Sequence, residues 1–122
     1  MVPLFITQIA RGEPVVVYGD GEQSRDFTYV ANVVDATLRA ADAPGATGRI
    51  FNVAAGKPAS VNELAEAVGR ILGKSVQKQS APPRPGDVRD SWADVSAAHS
   101  GLGYEAHVSL EEGLRLTIDA LL

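Results

Sequence analysis

Val15-Val16-Val17-Tyr18-Gly19-Asp20-Gly21-Glu22-Gln23-Ser24-Arg25-Asp26-Phe27-Thr28-Tyr29-Val30 is the stretch whose reading sets the fold class. Residues 15–18 read as a short strand, because branched and aromatic side chains fit a pleated surface. Gly19-Asp20-Gly21 is a turn signal that closes it. Phe27-Thr28-Tyr29-Val30 predicts a second short strand. Asn32 then reads as the N-cap of a helix with Val33, Val34, Thr37, Leu38 and Ala41 on one stripe. Ala43-Pro44-Gly45 breaks that helix.

Working outward, Pro3 suits the first turn of a helix, where its missing N–H would be unbonded anyway. Val2, Phe5, Ile6, Ile9 and Ala10 follow a helical stripe that Gly12 stops. Downstream, Ile50-Phe51-Asn52-Val53-Ala54 predicts a third strand. Ser60 and Glu63 form a capping-box pattern at the head of a helix whose apolar positions are Val61, Leu64, Ala65, Val68, Ile71 and Leu72. Gly73 ends it. Residues 75–79 read as a short strand, and Ala81-Pro82-Pro83-Arg84-Pro85-Gly86-Asp87 as a rigid loop. Asp94 predicts the cap of a short helix through His99, stopped by Gly101. Ser109 and Glu112 repeat the capping-box pattern before a last helix with Leu110, Leu114, Thr117, Ile118 and Leu121. Helices mixed with short strands give an α/β (α+β) class.

The chain has 122 residues, which predicts a single domain over 1–122. Apolar residues make up 45% and charged residues 21%, an ordinary globular composition. The formal net charge of -4 argues against nucleic-acid binding, which rewards a basic surface. There is no cysteine, so disulfides, thiolate metal sites and a cysteine nucleophile are excluded. No apolar run approaches a membrane span, and the first residues lack the pattern of a signal peptide. A cytoplasmic protein with no membrane partner is the expectation. His99 and His107 lie far from any carboxylate cluster of ligand spacing, so no metal site is expected.

Two segments carry a resemblance. Tyr18 to Val30, with its Gly-Asp-Gly turn and Arg25-Asp26-Phe27 run, resembles a signature of the NAD-dependent epimerase/dehydratase family of sugar-nucleotide enzymes, the extended short-chain dehydrogenase/reductases. Arg84-Pro85-Gly86-Asp87, followed by Ala93-Asp94, resembles that family's late Arg-x-Gly-Asp loop and its next helix start. Phe51-Asn52-Val53 and the helix at 60–72 stand between them in the family's order. The resemblance covers nearly the whole chain and places it at the family's C-terminal, substrate-binding part, without the Rossmann core.

The resemblance implies that Arg25 and Arg84 contact the diphosphate of a UDP-sugar, that Asp87 bonds the ribose hydroxyls, and that Val17 and Tyr18 lie near the base. The chemistry fits. Guanidinium is planar, permanently charged and bidentate toward phosphate oxygens, and a carboxylate accepts from vicinal hydroxyls. Plainer readings stand beside these. Arg25 and Asp26 also read as a surface ion pair, Arg84 as part of a plain surface loop, and Asp87 as an Asx turn. Arg89 reads as a solvated charge or a further phosphate ligand, and Tyr18 and Trp92 as packing residues.

Two family features are absent from these residues. There is no Gly-x-Gly-x-x-Gly turn for a dinucleotide, and no lysine stands four residues after Tyr18, Tyr29 or Tyr104. No catalytic residue and no cofactor are therefore expected in this chain, although NAD belongs to the complete family enzyme. A strand at 50–54 without its Rossmann neighbours would present an unpaired edge. Self-association through it, or a rearrangement that hides it, is the expectation. A non-catalytic interaction or oligomerisation module is the alternative function.

Overall fold

The Glu63 N–H donates to Ser60 Oγ at 3.0 Å and the Ser60 N–H donates to Glu63 Oε2 at 2.7 Å. This reciprocal cap satisfies two otherwise orphan donors and starts a helix that Gly73 closes at φ 64. In the computed structural model, which describes residues 1–122, the elements run α1 Val2–Arg11, β1 Val15–Tyr18, β2 Ser24–Arg25, α2 Val30–Asp42 and β3 Ala59–Ser60. Then come α3 Val61–Leu72, β4 Lys78–Ala81, β5 Asp90–Ser91, α4 Ser96–Leu102 and α5 Leu110–Leu121.

The strands form two small sheets. β1 and β4 pair in parallel, Val15 opposite Lys78 and Tyr18 opposite Ala81. In the other sheet β2 is central, antiparallel to β3 and parallel to β5. The main core joins Phe5, Ile6 and Ile9 of α1, Val15 and Val17 of β1, Leu64 and Val68 of α3, and Leu114 and Ile118 of α5. A second core joins Ala36, Ala98, Leu102 and Tyr104, with Phe51 and Val53 at its margin.

Several local expectations give way to tertiary contacts. Residues 27–30 form no strand, and α2 begins at Val30 with Tyr29 as its N-cap. Asp26 explains the change. Its Oδ1 accepts from Thr28 Oγ1 at 3.2 Å and from the Ala55 N–H at 2.9 Å, and its Oδ2 from the Gly56 N–H at 2.9 Å. These bonds replace a strand ladder. Asn32 caps nothing. It lies inside, donating to the Val108 carbonyl and accepting from the His107 and Val108 N–H groups. The β4 strand starts later than expected, because pairing with β1 carries it to Ala81.

The short helix α4 runs through Gly101 and closes at Gly103, and Asp94 accepts from the Ser96 N–H just before it. A Cβ at Gly101 would stand 2.7 Å from the Phe51 ring, so this residue admits a close approach and not a stop. Residues 50–54 form no strand: no neighbouring segment offers a ladder, and Ile50 is 93% exposed. These residues enter neither sheet.

α2 turns over relative to its sequence pattern. Val30 and Leu38 are each 64% exposed, and Val33 and Val34 are exposed beside them. Asn32 and Ala36 are the buried positions. The small side of the helix meets α4, and the apolar stripe faces outward.

Candidate functional site

Parallel pairing sends both chains off the same end of the sheet. The turn after β1 and the loop after β4 therefore leave side by side. Between them lies a cleft of about 530 Å³, lined by Tyr18, Asp20, Gln23, Arg84, Asp87 and Arg89 among others. The parallel β2–β5 pair adds Arg25 from the side, setting Arg25 opposite Ser91.

Three arginines with different partners gather at this rim. Arg25 Nη2 donates to Asp87 Oδ1 at 2.7 Å, and its Nη1 donates to the Ser24 carbonyl at 2.6 Å. Arg84 stacks on Tyr18, its guanidinium carbon 3.9 Å from the ring centroid. Tyr18 is the first cause of an upward pKa shift at Arg84, with Asp87 contributing. Arg89 Nη1 donates to both oxygens of Asp20 at 2.8 and 2.9 Å. That bond, aided by the Glu22 N–H, holds the Asp20 carboxyl below its ordinary value. Gln23 donates to the Tyr18 carbonyl at 3.0 Å and ties the turn to the strand.

Of the residues singled out from sequence, Tyr18, Arg84 and Asp87 line the cleft and Arg25 reaches it through Asp87. Val17 is separate: its side chain is buried in the main core and is no part of the cleft lining. Trp92 is exposed and packs in no core. Arg25 pairs with Asp87 and not with its neighbour Asp26, which grips the backbone at 55 and 56. Sequence reasoning missed the Asp20–Arg89 pair, the Asp26 grip and the buried Asn32. Asp20 and Arg89 both stand in the motif-bearing loops, but nothing local pairs residues so far apart.

The Gly19-Asp20-Gly21 turn does not fit a dinucleotide pyrophosphate. It leads into a strand and not into a helix N-terminus, where such an anion would be held. A Cβ at Gly21 (φ 76) would stand 2.5 Å from Asn62 Oδ1, so a side chain fills the space that a phosphate would need. No group of three or more His, Asp or Glu side chains is placed to hold a metal.

Five helices with two small sheets of short strands match the C-terminal part of the extended short-chain dehydrogenase/reductase class. The chain belongs to the NAD-dependent epimerase/dehydratase family and corresponds to its C-terminal part: the family model described as GDP-mannose 4,6 dehydratase matches residues 1–117. It is 35% identical over 116 residues to a UDP-glucuronate 4-epimerase of Thermodesulfobacterium geofontis, covering 94% of this chain and 35% of that protein. It is 35% identical over 119 residues to a UDP-glucose 4-epimerase of Mycolicibacterium smegmatis, covering 98% of this chain and 38% of that protein.

Among solved structures, the UDP-glucose 4-epimerase of Thermotoga maritima with UDP-glucose superposes with a TM-score of 0.90 at 42% identity, over 97% of this chain and 38% of that one. The UDP-glucuronic acid 4-epimerase of Bacillus cereus, in complex with UDP-glucuronic acid and NAD, gives 0.91 at 32% identity, over 99% and 39%. The chain thus spans little more than a third of the length of these relatives.

Proposed function

We propose that this chain is the nucleotide-sugar-binding part of a UDP-sugar 4-epimerase-like enzyme, that the cleft at Tyr18, Arg84 and Asp87 receives the UDP, and that the chain alone is not catalytic. One observation carries the reading: Arg25, Arg84 and Asp87, from segments far apart in the chain, meet at one cleft. Guanidinium groups suit a diphosphate, and Tyr18 offers a flat apolar face at the same rim. Support also comes from the relatives, whose structures contain UDP-glucose or UDP-glucuronic acid. NAD and the proton-transferring groups would be supplied by the larger part that those relatives possess. A cytoplasmic location accords with such substrates.

Titration with UDP, followed by backbone amide shifts, tests this. Shifts confined to residues 18–25 and 82–89 are expected. No shift up to millimolar UDP overturns the reading.

A second reading, an association module, is favoured by the outward apolar stripe of α2 at Val30, Val33, Val34 and Leu38. Contiguous exposed apolar surface marks interaction sites. This reading includes self-association, through α2 or through the exposed segment at 50–54. Sedimentation at rising concentration should show dimers that Val34→Lys and Leu38→Lys abolish. A monomer throughout removes the self-association.

A further inference from the structure

We propose that Asn62 is a positioning residue for the cleft: acting through Asp20, it fixes the wall to which Arg84 and Arg89 are fastened. Asn62 is no part of the cleft lining itself. Its effect on a ligand rests on the reading of the cleft as a nucleotide site, whereas its effect on the loop after β4 does not.

A helix begins with N–H groups that have no partner within it. In α3 the capping Ser60 takes the Glu63 N–H, which leaves those of Val61 and Asn62. They donate to the Gln23 carbonyl at 3.1 Å and to the Gly21 carbonyl at 3.0 Å. The half-buried Asn62 side chain continues the grip, its Nδ2 donating to the Asp20 carbonyl at 2.9 Å and to Glu22 Oε1. The carbonyls of residues 20, 21 and 23 are thus all held by the first two residues of α3. The turn after β1 becomes a rigid arm, and the Glu22 N–H, donating to Asp20 Oδ1 at 3.0 Å, aims the carboxylate at its end.

The opposite wall has no such support. Apart from the bond between the Asp87 N–H and the Arg84 carbonyl, residues 82–88 form no backbone hydrogen bond. Three side-chain contacts hold this loop: Arg84 on the Tyr18 ring, Asp87 on Arg25 and, at its end, Arg89 on both oxygens of Asp20. Two of the three end on residues 18–20. The arm therefore sets where Arg84 and Arg89 lie, and Asn62 sets the arm. The Asp20–Arg89 side chains are 55% and 59% exposed, so this pair adds little to global stability. Its effect is local order.

The test is nuclear magnetic resonance on the full chain without ligand. Backbone order parameters are read at Arg84, Gly86, Asp87 and Val88, and the upfield ring-current displacement of the Arg84 methylene protons is read against Tyr18→Leu, which marks its absence. In Asn62→Ala the order parameters should fall from the rigid range, about 0.85, toward the flexible range below about 0.6, and the displacement should shrink toward the Tyr18→Leu value. Asn62→Asp, which keeps the shape and loses the donors, should do the same if the alanine variant folds poorly. Asp20→Asn should loosen the same loop while residues 19–22 stay ordered and the thermal midpoint barely moves. Gly69→Ala, at the far end of α3, should lower the midpoint and leave the loop as it is. UDP should bind Asn62→Ala about threefold more weakly, the scale of ordering one long side chain on binding.

A loop unchanged in both Asn62 variants overturns the proposal, as does an equal loosening in Gly69→Ala. Loosening in the Asn62 variants but not in Asp20→Asn overturns the route through Asp20. Failure of the parent chain to bind UDP overturns the nucleotide reading instead, and the ligand-free measurements still decide the role of Asn62.

Discussion

The guanidinium of Arg84 rests on the ring of Tyr18, 3.9 Å from its centroid. The last residue of β1 thereby orients a cation from the loop after β4. The stack exists because parallel pairing aligns Tyr18 with Ala81, so the loop that follows must pass over the ring. Replacing Tyr18 by Leu removes the π-face but keeps the strand. UDP should then bind about threefold more weakly, in line with an exposed cation–π contact, with the thermal midpoint nearly unchanged. Arg84→Lys should not substitute for the parent residue, because ammonium lacks the planar fork. Calorimetry on both variants measures this.

Asn32 is 2% exposed and serves two backbone donors and one acceptor at residues 107 and 108. It ties the start of α2 to the segment that leads into α5. Asn32→Ala leaves those partly buried backbone groups without their side-chain partner. The expected loss is about 2–4 kcal/mol in urea unfolding, since each unmet buried group costs more than a made bond returns. A loss under about 0.5 kcal/mol, the range of neutral surface changes, contradicts this account.

Tyr104 is buried and its hydroxyl donates to the Ala54 carbonyl at 2.8 Å. Burial, then Asp26 and Asp35, raise its pKa above the ordinary 10.0. The neutral phenol is thus favoured more in the folded chain than in the unfolded one. The stability linked to it is complete below pH 10.0 and is lost as pH rises from there through the folded-state pKa. Tyr104→Phe should cost about 1 kcal/mol at neutral pH and flatten the alkaline part of the stability profile. Denaturant titrations across that range check both effects.

Gly69 lies inside α3, where alanine is ordinarily better by about 1 kcal/mol. Here an added Cβ would meet the Val76 side chain and would stand 2.9 Å from the Lys74 carbonyl oxygen. That oxygen is backbone and cannot swing away. Gly69→Ala should therefore destabilise by about 1–3 kcal/mol, the cost of overpacking. A gain in thermal midpoint would show that the turn after α3 yields freely.

Local chemistry was legible where it closes on itself. The Ser60–Glu63 box, Pro3 in the first turn of α1 and the glycine stops at Gly12 and Gly73 involve residues within a turn of one another. The segments of the candidate site were legible too, through their resemblance to a family. Their side-chain pairings were not. Arg25 stands beside Asp26 in the chain yet bonds Asp87, and Val17 stands beside Tyr18 yet serves the core. Adjacent strand residues point to opposite faces, and only the pairing partner decides which face is inside.

From its amino-acid order alone this chain determined its capped helices, its glycine-marked stops, its mixed class and the loops that carry cationic side chains. Those features depend on neighbours a few residues away. Tertiary structure decided which side of α2 meets the protein, that residues 50–54 enter neither sheet, how far β4 slides along β1, and which carboxylates hold Arg25 and Arg89. Such outcomes depend on groups distant in the chain. Hydrophobic pattern and propensity bias each element, but a ladder, a buried amide or an ion pair exists only when a particular partner arrives.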